Sequence, residues 1–177
     1  MVDPSANLWL SQAESDRYAS TRIYDPADIR TYCQAISKHQ QTVEKAVKAI
    51  TAAVSAAGIL TSPRGHYYKH DVEVLVTLLG RLPRPQDSQD IQSRINKLLN
   101  AFYRTEIRAL SALTPRKPAA GAMHARNTEY PYETQLGVWT APALAGSFQS
   151  SDIARFSNLA ERIYQGARQI VSALRRR

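Results

Sequence analysis

Residues 87–113 read DSQDIQSRINKLLNAFYRTEIRALSAL and carry two stripes at helical spacing. Apolar side chains recur every three or four residues and predict one long helix with a single buried face. The apolar stripe consists of Ile91, Ile95, Leu98, Leu99, Phe102, Leu110 and Leu113. The basic stripe lies on another face and consists of Arg94, Lys97, Arg104 and Arg108. Such a pattern suits either a solvated amphipathic helix or a row of phosphate contacts, and the rest of the chain has to decide between them.

Composition favours a polyanionic partner. The 177 residues include 23 Lys and Arg against 15 Asp and Glu, which gives a formal net charge of +8. This balance is typical of proteins that bind nucleic acid or, less often, an anionic membrane surface. The single cysteine, Cys33, excludes an intramolecular disulfide framework. No run of about 18 apolar residues occurs, so no transmembrane segment is expected, and the first residues lack the pattern of a signal peptide.

The first half of the chain is predicted to hold an arm and a long helix. Residues 1–24 have no sustained period and are interpreted as an extended or partly helical N-terminal arm. A single helical domain is expected over 25–177, and Asp25-Pro26 suits the start of its first helix, which ends near Gly58. Its apolar residues repeat every seven and predict a narrow seam that includes Cys33, expected to be buried and inert. Its basic residues, predicted to lie on the far side, are Arg30, Lys38, Lys45 and Lys48.

A connector at 58–70 combines cations with aromatic residues, as nucleotide-binding loops do, although a surface loop whose tyrosines pack on the core is the more ordinary explanation. It contributes Arg64 and Lys69 as second-choice phosphate contacts. His66 and His70 have the spacing of metal ligands on a helix, but no further ligand set accompanies them, so no metal is expected. Residues 71–80 fit a strand or a helix, and the lack of a partner strand favours the helix.

Residues 114–150 lose all periodicity because prolines and glycines interrupt them. Their aromatic content argues against plain disorder and predicts a long irregular loop that packs on another subunit, with Arg116 and Lys117 available to a polyanion. A last helix is predicted over 151–177. It places Arg155, Arg162 and Arg168 outside its buried side and ends in Arg175, Arg176 and Arg177, which suit either a helix C-terminus or a basic tail that touches nucleic acid.

No glycine-rich phosphate loop, nucleophile elbow or spaced metal-ligand set is found, so neither an enzyme nor a cofactor is expected. The fold class expected is all-α, a bundle of about four helices with the arm and the aromatic-bearing loop. The aromatic residues predicted to contact other subunits are Trp9, Tyr18, Tyr24, Tyr130, Tyr132, Trp139 and Phe148.

Two resemblances point to a coat protein. Residues 129–139, EYPYETQLGVW, resemble the aromatic-Glu … Leu-x-Trp pattern of rod-shaped plant virus coat proteins, with one residue of difference in spacing. Those proteins lack a basic helix after the motif, whereas one is predicted here. The arm and the long helices with basic faces are similar to the major capsid proteins of filamentous archaeal viruses, and this resemblance implies helical subunits that coat double-stranded DNA.

We therefore expect a non-enzymatic structural subunit that coats nucleic acid, double-stranded DNA rather than RNA, through nonspecific phosphate contacts in a helical filamentous virion. Its partners would be nucleic acid and copies of itself or a paralogous capsid subunit, with assembly in the host cytoplasm. The alternative is a cellular helical module, such as the small subunit of a CRISPR effector or a plasmid DNA-binding accessory protein. A third class is a protein-interaction bundle whose charge serves only solubility.

Overall fold

A computed structural model describes residues 4–60, 72–82, 89–114, 126–129, 131–135, 138–144 and 147–176. In these ranges the chain is mostly helical, and the predicted all-α class is confirmed. The helices are α1 (Pro4–Ile23), α2 (Tyr32–Ala56), α3 (Val72–Gly80), α4 (Gln89–Leu98), α5 (Ala101–Ser111) and α6 (Ser150–Arg175). A 3-10 helix, Ile29–Thr31, precedes α2, and strands β1 (Tyr132–Gln135) and β2 (Val138–Thr140) form an antiparallel pair.

Helix α2 is the centre of the fold. It packs against α1, α3, α5 and α6, and most of its side chains are buried. The predicted seam is buried at Ile36, Val43 and Ile50, but Lys48 and Thr51 are buried as well. A helix with neighbours on several sides buries residues all round, so a narrow seam describes α2 incompletely.

The two ends of α2 differ in how well the sequence predicts them. Asp28 caps the 3-10 helix by accepting a hydrogen bond from the Arg30 backbone N–H at 3.0 Å, so α2 begins later than Asp25-Pro26 indicates. The end at Gly58 is confirmed, since Gly58 has a φ of 70°. The Gly58 N–H donates to the Ser55 carbonyl and the Ile59 N–H to the Val54 carbonyl, which is the Schellman pattern.

Residues 4–23 form the helix α1, so of the two predicted forms of the N-terminal arm the extended one is wrong there. This helix packs along α2 and also contacts α6. Ala6 and Ala13 have no exposed surface, which shows that small residues allow the close approach of α1 to the core. The apolar pattern of α1 is weak because its contact with α2 uses alanines and polar groups, and a search for large hydrophobic residues misses such a contact.

The single long helix over 87–113 is also wrong, because it is two helices. Asn100 separates α4 from α5 and caps α5 by accepting a hydrogen bond from the Tyr103 backbone N–H at 3.1 Å. Asparagine is among the preferred N-cap residues, and this cap competes with helix continuation. The break changes the helical phase, so Phe102 leaves the apolar stripe and is 65% exposed.

The remaining elements comprise two confirmed helices and one correction. Helix α3 confirms the helical interpretation of 71–80, and α6 confirms the last predicted helix. A capping box between Gln149 and Asp152 starts α6. The loop before it is not wholly irregular, because the β1–β2 hairpin places Tyr132 opposite Thr140 and Glu133 opposite Trp139.

Candidate nucleic-acid interface

The helix break divides the predicted row of cations between two sides of the molecule. Arg94 and Lys97 lie on α4 and line a groove against α6. Arg104 and Arg108 lie on α5 and face α3 instead. The Arg104 guanidinium lies over Gly80, and Arg108 pairs with Glu73 at 3.5 Å. The four residues therefore do not form a continuous row of cations.

Arg104 has a structural task at the break. Its Nε donates to the Leu99 carbonyl at 2.6 Å, next to the end of α4. A cation at a helix C-terminus satisfies free carbonyl groups and complements the helix dipole. Removal of its charge would therefore disturb the α4–α5 junction, so Arg104 is a poor position at which to test phosphate binding.

Between α4 and α6 the structure forms what we call the α4–α6 groove. It consists of two adjoining cavities of about 590 and 650 Å³ that share Arg94, Gln165 and Gln169. Five basic side chains line it, namely Arg94, Lys97, Arg162, Arg168 and Arg176. The acidic side chains in its lining are Asp90 and Glu161. Cations thus outnumber acids in the groove, and the amides of Gln165 and Gln169 add neutral hydrogen-bonding groups.

Most of the groove's cations are free of carboxylates. Arg94 pairs with Asp90 at 3.0 Å, while Glu161 pairs with Arg17 of α1 at 3.1 Å. As far as the described ranges extend, Lys97, Arg162, Arg168 and Arg176 have no carboxylate partner. Exposed ion pairs such as Arg94–Asp90 are weak and exchange readily for another anion. The groove is therefore a cationic surface that its own acids neutralise only in part.

Aromatic rings orient two of these arginines. The Arg162 guanidinium lies 4.4 Å from the centre of the Tyr103 ring, and that of Arg168 lies 5.8 Å from the Tyr164 ring. A cation over an aromatic face keeps its hydrogen-bond donors free at the edge of the guanidinium plane. Both arginines are exposed. Arg168 donates from Nη1 to Gln165 at 3.5 Å, and its other donors, like those of Arg162, remain open to an anion.

Two contacts hold the helices around the groove. Gly166 of α6 meets the Leu98 side chain so closely that any Cβ at this position would overlap Leu98. Arg155 of α6 joins Glu106 of α5 through Nε at 2.5 Å and Nη2 at 2.8 Å. These two hydrogen bonds hold the pKa of Glu106 below its ordinary value, so the pair stays ionised near neutral pH. These contacts hold α4 and α5 in place against α6 along the groove.

The structure contradicts the prediction that α2 presents its lysines on a free basic face. Lys38 donates to Asp16 of α1 at 3.2 Å, and Lys45 pairs with the same carboxylate. Lys48 is buried, pairs with Glu44 at 2.6 Å and lies 4.8 Å from the centre of the Trp9 ring. These lysines hold helices together because α1 covers the side of α2 that the sequence assigns to solvent.

The other second-choice contacts fall into two groups. Arg30 pairs with Asp28 at 2.7 Å, whereas Arg175 is exposed near the end of α6. Arg176 lines the groove and donates to the hydroxyl of Ser172 at 3.3 Å. The positions that lie outside the described residues are Arg64, Lys69, Arg116, Lys117 and Arg177.

The aromatic residues expected at a subunit interface mostly pack within the chain. Tyr132 and Phe148 are buried, and Tyr132 donates its hydroxyl to Ser147 at 3.0 Å. Trp9 and Tyr24 are half-buried and pack on the core. These four therefore do not require a second subunit to cover them. Tyr18 and Trp139 are exposed, and Tyr130 lies outside the described residues.

Helix α6 contributes more of the groove's cations than its sequence indicates. Arg162 and Arg168 are predicted to lie outside its buried side, but nothing in one helix shows that they face α4. The signal available is the spacing of Arg162, Gln165 and Gln169, which places three polar side chains on one side of the helix. Only the tertiary structure shows that α4 lies across the groove from these residues.

The described residues offer little to metal or redox chemistry. No group of three or more His, Cys, Asp or Glu side chains in these ranges is placed to hold a metal ion, and His66 and His70 lie outside them. Cys33 is buried as predicted, and burial raises the pKa of its thiol, which disfavours the reactive thiolate. Among the described helices, none combines the length and apolar character needed to cross a membrane.

No protein-family model matches the chain, and no significant match was found among curated proteins or solved structures.

Proposed function

We propose that the protein binds the sugar-phosphate backbone of nucleic acid in the α4–α6 groove and serves as a non-enzymatic structural subunit that coats the polymer. The observation that carries this proposal is the convergence of five basic side chains from two helices, most of them without a carboxylate partner in the described ranges. Phosphate contacts of this kind fix a protein on nucleic acid without reading its sequence.

The length of the groove suits a polymer. Along α6, Arg162 and Arg176 are separated by about 21 Å at the usual rise per residue. At about 3.4 Å per nucleotide along one strand, that distance corresponds to roughly six nucleotides. A small anion would use one cavity, whereas a backbone with regularly spaced phosphates would use the whole length. This favours a nucleic acid over a free phosphate or a metabolite.

The wider part of the proposal is that many copies of the protein coat the nucleic acid. The sequence favours double-stranded DNA as that nucleic acid and a helical virion as the assembly. A helical bundle whose α1 and β2 leave Tyr18 and Trp139 exposed would bury such side chains between subunits. One observation supports the alternative, a discrete cellular module. Residues 4–23 fold onto their own chain as α1, and so they do not supply the extended arm on which the likeness to archaeal capsid proteins depends.

The groove is tested by charge reversal. Lys97→Glu combined with Arg168→Glu is expected to weaken binding to a DNA 20-mer of random sequence about tenfold or more in low salt. The reason is that two phosphate contacts become repulsive. The slope of log affinity against log salt should fall in magnitude by roughly one for each lost contact. Fluorescence anisotropy across a salt series measures both quantities.

A matched control has the same change in net charge elsewhere. Arg22→Glu with Arg81→Glu alters two exposed cations that do not line the groove, and it should retain the affinity of the wild type within a factor of about two. Equal losses in the two double variants would mean that only overall charge matters. A larger loss in the control would place the binding surface elsewhere.

Particle shape distinguishes the coat from the discrete module. Mixed with long double-stranded DNA, a coat subunit should form continuous filaments of constant diameter in negative-stain electron microscopy. Isolated particles that leave most of the DNA bare at saturating protein would support the cellular module and contradict the coat. The groove double variant serves as the control, because it should lose filaments and particles alike.

A further inference from the structure

Phe102 is a large aromatic side chain that the fold leaves in water. It lies in the first turn of α5 and is 65% exposed, although its sequence position predicts burial. The buried side of α5 is formed by Ile107 and Leu110, so the core does not need the Phe102 ring. An exposed ring of this size at the start of a helix is available to a ligand.

The ring stands beside the α4–α6 groove. Its centre is 5.1 Å from that of Tyr103, with an interplanar angle of 81°. Tyr103 in turn carries the Arg162 guanidinium at 4.4 Å, and Arg162 lines the groove together with Lys97. Phe102 is therefore linked to the phosphate-binding surface through two direct ring contacts. Tyr103 and Arg162 restrain each other, and this leaves Phe102 as the open member of the cluster.

We infer that Phe102, supported by the Tyr103–Arg162 pair, is a stacking platform for an unpaired nucleobase, so that the α4–α6 groove takes a single-stranded stretch of nucleic acid. This inference rests on the proposed function, because it assumes that the groove binds phosphates. Proteins that bind single strands combine a cationic groove with aromatic side chains on which bases stack, without reading their sequence. Here Lys97 and Arg162 supply the cations and Phe102 supplies the ring.

The platform reverses the expected preference for double-stranded DNA. That expectation rests on the resemblance to archaeal capsid proteins, whereas the cations of the groove would contact phosphates, which single and double strands both present. A base inside a duplex is stacked and paired, so its face is closed to Phe102 unless the duplex opens. A single strand offers both the phosphate and the free base face, and it should bind more tightly than a duplex of equal length.

The test compares three 12-nucleotide probes by fluorescence anisotropy: oligothymidylate, a fully abasic strand of the same length, and a blunt duplex. Wild-type protein should bind oligothymidylate at least about fivefold more tightly than the abasic strand, since stacking on an aromatic ring contributes that much per base. Phe102→Ala should lose most of this difference, through weaker binding of oligothymidylate, and keep its affinity for the abasic strand within a factor of about two.

Two further variants make the test specific. Phe102→Leu keeps an apolar side chain with good helix propensity, and it should behave like Phe102→Ala, because stacking requires the flat ring. Leu8→Ala removes an exposed apolar side chain that does not line the groove, and it should change none of the three affinities. Thermal unfolding followed by circular dichroism should be unchanged in all three variants, as expected for exposed positions.

The outcomes separate this inference from the proposed function. If all probes bind, if Lys97→Glu with Arg168→Glu weakens them, and if Phe102→Ala changes nothing, the platform is refuted and the phosphate-binding groove stands. Equal losses on oligothymidylate and on the abasic strand, or tighter binding of the duplex, also refute the platform. Failure of every probe to bind the wild type would overturn both.

Discussion

Asp16→Ala is expected to lower the free energy of unfolding by about 3–5 kcal/mol, the usual cost of breaking a buried ion pair from one side. Asp16 is 4% exposed on α1 and accepts hydrogen bonds from Lys38, at 3.2 Å, and from Lys45 on α2. Without the carboxylate, two ammonium groups face each other between packed helices. The cost of the unpaired charge is larger at Lys45 than at Lys38. Only 18% of the Lys45 side chain is exposed, and it cannot move fully into water.

Chemical denaturation measures this loss, and Arg108→Ala is the matched control. Arg108 also forms an ion pair, with Glu73 at 3.5 Å, but 77% of its side chain is exposed, so its removal should cost less than about 1 kcal/mol. Lys45→Met added to Asp16→Ala removes the stranded cation and should recover part of the stability. If Asp16→Ala costs no more than Arg108→Ala, the carboxylate does not hold α1 against α2.

His39 should make the protein less stable in mild acid. The imidazole is 4% exposed within α2, and in the described part of the chain its Nδ1 has no hydrogen-bond partner. Burial lowers the pKa of His39 to about 4, because a charged imidazolium in this position would lose its hydration. The folded protein therefore keeps a neutral His39 at pH values where the unfolded chain is protonated.

The direction of the effect follows from the protons bound in each state. Above pH of about 6.5 both states are neutral at this position and no penalty exists. Between about 6.5 and 4 the unfolded state binds a proton that the folded state does not, so stability falls as the pH falls. At pH 4 the loss from His39 alone should be about 3 kcal/mol, and it should level off at lower pH.

Urea denaturation of the wild type and of His39→Leu at pH 7.5, 6, 5 and 4 isolates this contribution, because the other titrating groups are common to both proteins. The stability difference between the two should change with pH in favour of His39→Leu, by about 3 kcal/mol over the series. Parallel pH profiles would show that His39 gains a proton in the folded state near its ordinary pKa.

The sequence predicts well where local chemistry alone decides the structure. The stop at Gly58 is encoded by one residue that tolerates positive φ, and it is confirmed. Helices α3 and α6 follow from apolar periodicity and capping residues, and both are confirmed. The break at Asn100 is also encoded locally, but the apolar period continues across it and hides the cap.

Periodicity performs worst for α1 and for the faces of α2. Helix α1 buries Ala6, Ala13 and Asp16 against its neighbours, and none of these is a signal of burial in a hydrophobicity pattern. An arm at residues 4–23 would leave the lysines of α2 facing solvent. One wrong element therefore misplaced three candidate phosphate contacts, Lys38, Lys45 and Lys48.

By itself, the sequence determined that this chain is all-α, strongly basic and divided into apolar and cationic faces, since these properties depend on composition and on spacing within single helices. Only the tertiary structure decided which cations remain available. A lysine on α2 is neutralised when α1 brings Asp16 to it, whereas Lys97 and Arg162 lie on one groove because α4 and α6 pack through Leu98 and Gly166. Whether a charge pairs with a carboxylate depends on which helices meet, and residues that are distant in the chain decide that.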